Sequence, residues 1–164
     1  MAYECAHCGK LHAELPRYFM CREPQTKAGR VIDAAHEQKS MCRTQKRFFV
    51  RCEIEIPLSG ADGPPLGFIC WVEIKRKDYE SLLDRRQQDA TSTAPSTYLS
   101  GRLANPVHGV PNSYGTDVRF EVLQSDPTPY IRWIAPRSQL AARVKSGASM
   151  AFWHQLAFTQ KKTG

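Results

Sequence analysis

The clearest hydrophobic pattern in the chain runs through RFFVRCEIEIP at 47–57, where Phe48, Val50, Cys52, Ile54 and Ile56 fall on one face and Arg51, Glu53 and Glu55 on the other. Alternation with period two predicts a half-buried strand, and Pro57 ends it. The stretch SGADGPP at 59–65 concentrates residues that supply unusual backbone angles or fix one, so it reads as a tight reversal. The next strand, 66–75, should therefore pair antiparallel with the first. Its residues Leu66, Phe68, Cys70, Val72 and Ile74 share a face while Ile69 and Trp71 lie opposite, which is the pattern of a central strand covered on both sides. From Lys77 the period changes: in KDYESLLDRRQQ, Tyr79, Leu82, Leu83 and Arg86 follow helical spacing, and Asp78 is placed to cap the first turn. A polar linker at 91–97 precedes three further predicted strands at 98–103, 117–124 and 129–135. Helical spacing returns at 139–145 and 150–160, interrupted by Ser146 and Gly147.

Together these elements predict an α+β fold: an antiparallel sheet of about five strands flanked by helices, with an N-terminal zinc-knuckle-like segment. A length of 164 residues with 41% apolar content suffices for one sizeable core, so the expectation is a single domain, 1–164. Within it, the Cys- and His-containing segment 1–45 would pack on the sheet and helices of 46–164.

Charge and export signals narrow the setting. Twenty-three Lys and Arg against sixteen Asp and Glu leave +7, and the basic residues are scattered, as on a solvated surface that attracts polyanions without selecting among them. The N-terminus lacks a basic region followed by an apolar run, and no stretch reaches the roughly 20 apolar residues that span a bilayer. These features predict a soluble cytoplasmic protein with no membrane partner, whose six cysteines are thiols or metal thiolates.

The chemistry-bearing motif is Cys5-x-x-Cys8-Gly9, with His12 three residues further on. A Cys-x-x-Cys-Gly turn aims two sulfurs at one point, and the glycine allows the tight backbone this needs. Zinc takes four ligands in a tetrahedron, so two more are required from His12, Cys21, His36 and Cys42. Cys42, just before the strongest strand, is favoured as the third and His12 as the fourth, with His36 and Cys21 left open. A redox pair would need a strand before Cys5, and none fits there.

Other candidates are weaker in pattern. Glu53 and Glu55 stand two apart on one strand face, where a carboxylate pair with Arg51 could act in a metal-dependent enzyme, although such a spacing ordinarily faces solvent. His108 and Asp117 flank the loop that begins at 105. Lys39, Arg43, Lys46, Arg47 and Arg51 gather near Phe48 and Phe49, a combination that would suit single-stranded nucleic acid if a ring were free to stack.

The landmarks extend further. Cys5, Cys8, Gly9, His12, Leu15 and Pro16 are followed by Cys42, by Phe48, Phe49 and Arg51, and by Glu55, Ile56 and Pro57. Then come Trp71, the run Gly101, Arg102, Leu103, Ala104 and Asn105, and finally Leu140, Ala141, Ser146 and Gly147. In this order of motifs the chain resembles the bacterial family called domain of unknown function 2199 over nearly its whole length. It departs from the family pattern at Ile69, in Gly67-Phe68-Ile69, and at Val110, Ser138, Gln139, Arg143 and Val144. The resemblance implies a fold and a metal and no activity. With no recognisable catalytic set, the sequence predicts a non-catalytic binding or interaction module with a structural zinc and a protein partner. The alternatives are a metal-dependent enzyme and a nucleic-acid-binding protein.

Overall fold

The computed structural model describes residues 3–4, 9–12, 16–26, 32–33, 40–60, 63–88, 95–124 and 128–160. Its elements, in chain order, are β1 (Tyr3–Glu4), β2 (Leu11–His12), β3 (Tyr18–Met20), β4 (Ile32–Asp33), β5 (Met41–Arg43), β6 (Phe48–Ile56), β7 (Leu66–Ile74), α1 (Arg76–Gln87), β8 (Thr97–Leu103), β9 (Asp117–Val122), β10 (Tyr130–Ile134), α2 (Gln139–Ser146) and α3 (Met150–Gln160). The long elements fall where the periodicity predicts them. Asp78 lies in the first turn of α1, but the residue at the N-cap is Lys75, which makes no side-chain cap.

The sheet departs from the expected open antiparallel form. Strands β6 to β10 each pair with the next, and β10 then pairs with β6, Tyr130 opposite Glu53, so the five close into a barrel. An odd number of strands running up and down brings the first and last to the seam pointing the same way. The closing pair must then be parallel, and it is. A second parallel pair forms where β3 runs beside β7, with Tyr18, Phe19 and Met20 opposite Gly67, Phe68 and Ile69. The sheet is therefore mixed and closed, and β3, β5 and β4 are added to it. Periodicity reports which face of a strand is buried but not whether the first and last strands meet, which is why this feature was invisible in the sequence. The zinc-knuckle-like segment is likewise not shown: Cys5 and Cys8 lie outside the described residues.

The barrel interior is filled by the alternating residues of β6 and β7, with Leu103, Val118, Phe120 and Val122 from β8 and β9. Tyr79 of α1 tilts its ring against Phe48 at 5.2 Å between centroids, covering the end where β6 begins. The other end is held where Ala148 bridges Leu58 and donates to the Pro57 carbonyl at 2.7 Å. Gly147, at φ +78°, makes this possible, since a Cβ there would meet Ser59 Oγ at 2.5 Å and Pro57 O at 2.8 Å. On the other face of β6 and β7, Phe49, Trp71, Cys42 and Ala104 form a second, smaller buried cluster against which Cys21 packs. Burial on both faces of β7 agrees with the central strand that its composition predicts.

Candidate functional site

One edge of β7 is shared by two strands, and the site lies in the fork between them. β3 occupies the edge at 67–69 and β8 takes it over at 72–73. At the fork the backbone of Trp71 is served from outside the ladder: its N–H donates to Asn105 Oδ1 at 2.7 Å, and its carbonyl accepts from Ala104 at 2.8 Å. Asn105 is buried, and its Nδ2 reaches across to the Glu23 carbonyl at 2.6 Å, while Gln25 N–H donates to Ala104 at 2.7 Å. Asn105 thus ties β7, the start of the 105–116 loop and the segment after β3 into one unit. Gly101 sets the spacing above it. A Cβ there would run into the Val72 side chain and meet the Glu73 carbonyl at 2.5 Å, so β8 can approach β7 this closely only with glycine.

Cys21 enters the fork directly after β3. Its N–H continues the ladder by donating to the Ile69 carbonyl at 2.9 Å, which stands it beside Cys70 on the neighbouring strand. Cys70 is buried and lies opposite Cys52, so three thiol residues form a row across β6, β7 and the extension of β3. The Cys21 side chain is half-buried, with Sγ 3.9 Å from the Pro106 carbonyl. The side chains of Cys70 and His108 and the Arg51 charge all act on the Cys21 thiol. His108 is held by its loop: Ser113 Oγ accepts from Val107 N–H at 2.7 Å and donates to the Val110 carbonyl at 2.8 Å. Gly109, at φ +75°, lies so close to Phe152 and Leu156 that a Cβ would meet them at 2.7–2.9 Å.

These contacts fix the protonation of the cluster. The Cys70 hydrogen bond, partly opposed by burial and reinforced by the hydrogen bond and charge of His108 and by the Arg51 charge, lowers the Cys21 pKa from 9.0 to about 5. Cys70 moves the other way, because its hydrogen bond to Cys21 and its burial hold the proton on it. The same bond to Cys21 raises His108 above its ordinary value. Lowering of the Cys21 pKa favours its thiolate, the form in which a cysteine is nucleophilic. Arg51 stacks its guanidinium over the Trp71 ring at 4.9 Å. Among the described residues, neither the buried Arg51 Nε nor Trp71 Nε1 has a hydrogen-bond acceptor.

His36 joins Cys5 and Cys8 outside the described residues, and His12 is described only as a position in β2, paired with Tyr3. Cys42 is buried in β5, in the cluster of Phe49, Trp71 and Ala104. Among the described residues no group of three or more His, Cys, Asp and Glu could hold a metal ion. Glu53 and Glu55 do share the face of β6 opposite its core residues, with Glu53 Oε1 close over Gly67 and Glu55 exposed. Phe48 and Phe49 are both buried, and Arg47 forms a two-point pair with Glu73 at 2.6 and 2.9 Å while lying over the Phe49 ring. Neither ring is free to stack on a base. Sequence reading named Cys21 and His108 separately and missed Cys70 as their companion. The available signal was slight: a Cys in the middle of a strand and a His in a Gly/Pro-rich loop, joined only by the fold.

Fold and site together define a small closed β-barrel protein with two cysteines and a histidine gathered at a fork in its sheet. The chain belongs to the family described as "Uncharacterized protein conserved in bacteria (DUF2199)", whose model matches residues 4–148. No curated protein and no solved structure matches the chain. Among the described residues, no helix is long and apolar enough to cross a membrane.

Proposed function

We propose that the protein acts through a reactive thiolate at Cys21. His108 and Arg51 hold its charge, and Cys70 stands beneath it as a second thiol. The observation that supports this most directly is the placement of Cys21 in the fork, half-exposed and beside Cys70 on the neighbouring strand. A cysteine kept only for packing is buried and raised in pKa, as Cys52 is by its burial. Cys21 has the opposite character. Selective alkylation tests the reading: at neutral pH, limiting iodoacetamide should label Cys21 ahead of the other five cysteines in peptide mass mapping. Equal labelling of Cys21 and a cysteine with an ordinary thiol would overturn it.

A structural zinc centred on Cys5 and Cys8 is a separate proposal. Its support is local: β1 and β2 pair antiparallel on either side of the two cysteines, and Gly9 takes φ +66° just after Cys8. Elemental analysis should find one zinc per chain, lost on replacing Cys5 or Cys8 by Ser, and a metal-free preparation of full stability would reject it.

A further inference from the structure

We propose that Cys21 and Cys70 together reduce small hydroperoxides, Cys21 taking up the oxygen and Cys70 displacing it by forming a disulfide. This rests on Cys21 being the working thiolate. Four observations lead to it. First, the two cysteines differ in access: Cys21 is half-exposed and Cys70 is 1% exposed, so an oxidant from solvent meets Cys21 and only Cys21 can pass the oxidation inward. Second, they stand on adjacent strands. Neighbouring strands run about 4.8 Å apart, which falls within the roughly 4.4–6.8 Å between Cα atoms that a disulfide spans. Third, the loop that brings the Pro106 carbonyl to 3.9 Å from Cys21 Sγ also carries His108, whose imidazole can supply the proton that a departing oxygen needs. Fourth, Arg51 Nε and Trp71 Nε1 are buried donors without an acceptor among the described residues, and both belong to side chains beside Cys21. Donors set in place before reaction favour the developing negative charge on oxygen. The buried cluster of Cys42, Phe49, Trp71 and Ala104 packs against Cys21, which favours a substrate that presents one oxygen over a bulky disulfide.

The steps balance. The Cys21 thiolate attacks the outer oxygen of ROOH, an S–O bond forms, the O–O bond breaks, and the departing alkoxide takes a proton from His108 to leave as ROH. Cys21 is then a sulfenic acid. The Cys70 thiol attacks its sulfur, an S–S bond forms, the S–O bond breaks, and hydroxide leaves with the Cys70 proton as water. A dithiol reductant, itself oxidised to a disulfide, returns both cysteines to their starting state.

The test uses the reduced full chain, hydrogen peroxide as the probe and peptide mass mapping of all six cysteines. The expected product is a Cys21 to Cys70 disulfide. Its formation at neutral pH should begin with loss of the Cys21 thiol ahead of those of the buried cysteines. Cys70→Ser should stop at a sulfenic acid on Cys21 that dimedone captures. Cys52→Ser, which leaves the reacting pair intact, should still form the disulfide and serves if the Cys70 variant does not fold. A disulfide between Cys52 and Cys70, or one confined to Cys5 and Cys8, would overturn the proposal. If iodoacetamide labels Cys21 first but peroxide leaves it untouched, the thiolate reading stands and peroxide reduction falls. Peroxide reduction falls equally if Cys21 reacts with a small aromatic disulfide and not with peroxide.

Discussion

Cys21, directly after β3, stands beside Cys70 of β7, and the interaction between the two side chains moves their pKa values in opposite directions. Neither strand alone explains it. β3 supplies a thiol at the point where its own ladder ends, and β7 supplies a buried thiol where its edge changes partner from β3 to β8. The fork leaves room for one half-exposed side chain, and the loop carrying His108 closes over it.

Asn105 should be the residue on which the fork depends. Asn105→Ala would strip the buried Trp71 N–H of its acceptor and release the Glu23 carbonyl, a loss of about 1–3 kcal/mol for a donor left unsatisfied. Urea unfolding measures the cost. The alkylation profile of Cys21 should also move toward that of an ordinary thiol, because the segment carrying it is no longer tied to β7.

Gly101 should tolerate no side chain. Its substitution by Ala pushes a Cβ into Val72 and into the backbone carbonyl of Glu73, and such overpacking costs about 1–3 kcal/mol. The backbone contact cannot be relieved by a rotamer change. Gly115, where a Cβ would meet nothing within 4 Å but φ is +77°, is the comparison: Gly115→Ala tests backbone strain without a clash.

Stability should depend on pH through the cluster, and the two partners contribute with opposite sign. Cys21 is an acid whose folded pKa of about 5 lies below its ordinary 9.0, so its contribution is full above about pH 9 and is lost as pH falls through about 5. His108, raised above 6.5, contributes fully below that value and loses its contribution as pH rises through its folded pKa. Unfolding free energies of the native chain should therefore fall on acidification from neutrality toward about pH 5, and the part of that slope due to Cys21 should vanish in Cys21→Ser. An unchanged slope would mean that Cys21 is not ionised in the folded protein.

Local pattern made the elements legible because β6 and β7 alternate so regularly, and the helices announce themselves by spacing and by Gly147. Closure of the barrel was not legible, since it depends on Tyr130 meeting Glu53 across some eighty positions of sequence, a relation that periodicity does not encode. The short strands β3, β4 and β5 were missed because two or three residues carry too little pattern to read. For the site, the spacing of Cys5, Cys8 and His12 drew attention to the N-terminus. Cys21 counted there only as a spare metal ligand, Cys70 only as a core residue and His108 only as a loop residue. Their meeting follows from the parallel register of β3 on β7 and the return of the 105–116 loop, both products of tertiary folding.

The ionisation of Cys21 itself tests the account most directly. The rate of iodoacetamide alkylation at Cys21, followed by peptide mass as a function of pH in the native chain, should rise with a midpoint near 5, and His108→Gln should move that midpoint upward. A midpoint near the ordinary thiol value of 9.0 in the native chain, unaffected by His108→Gln, would contradict the thiolate site and everything built on it.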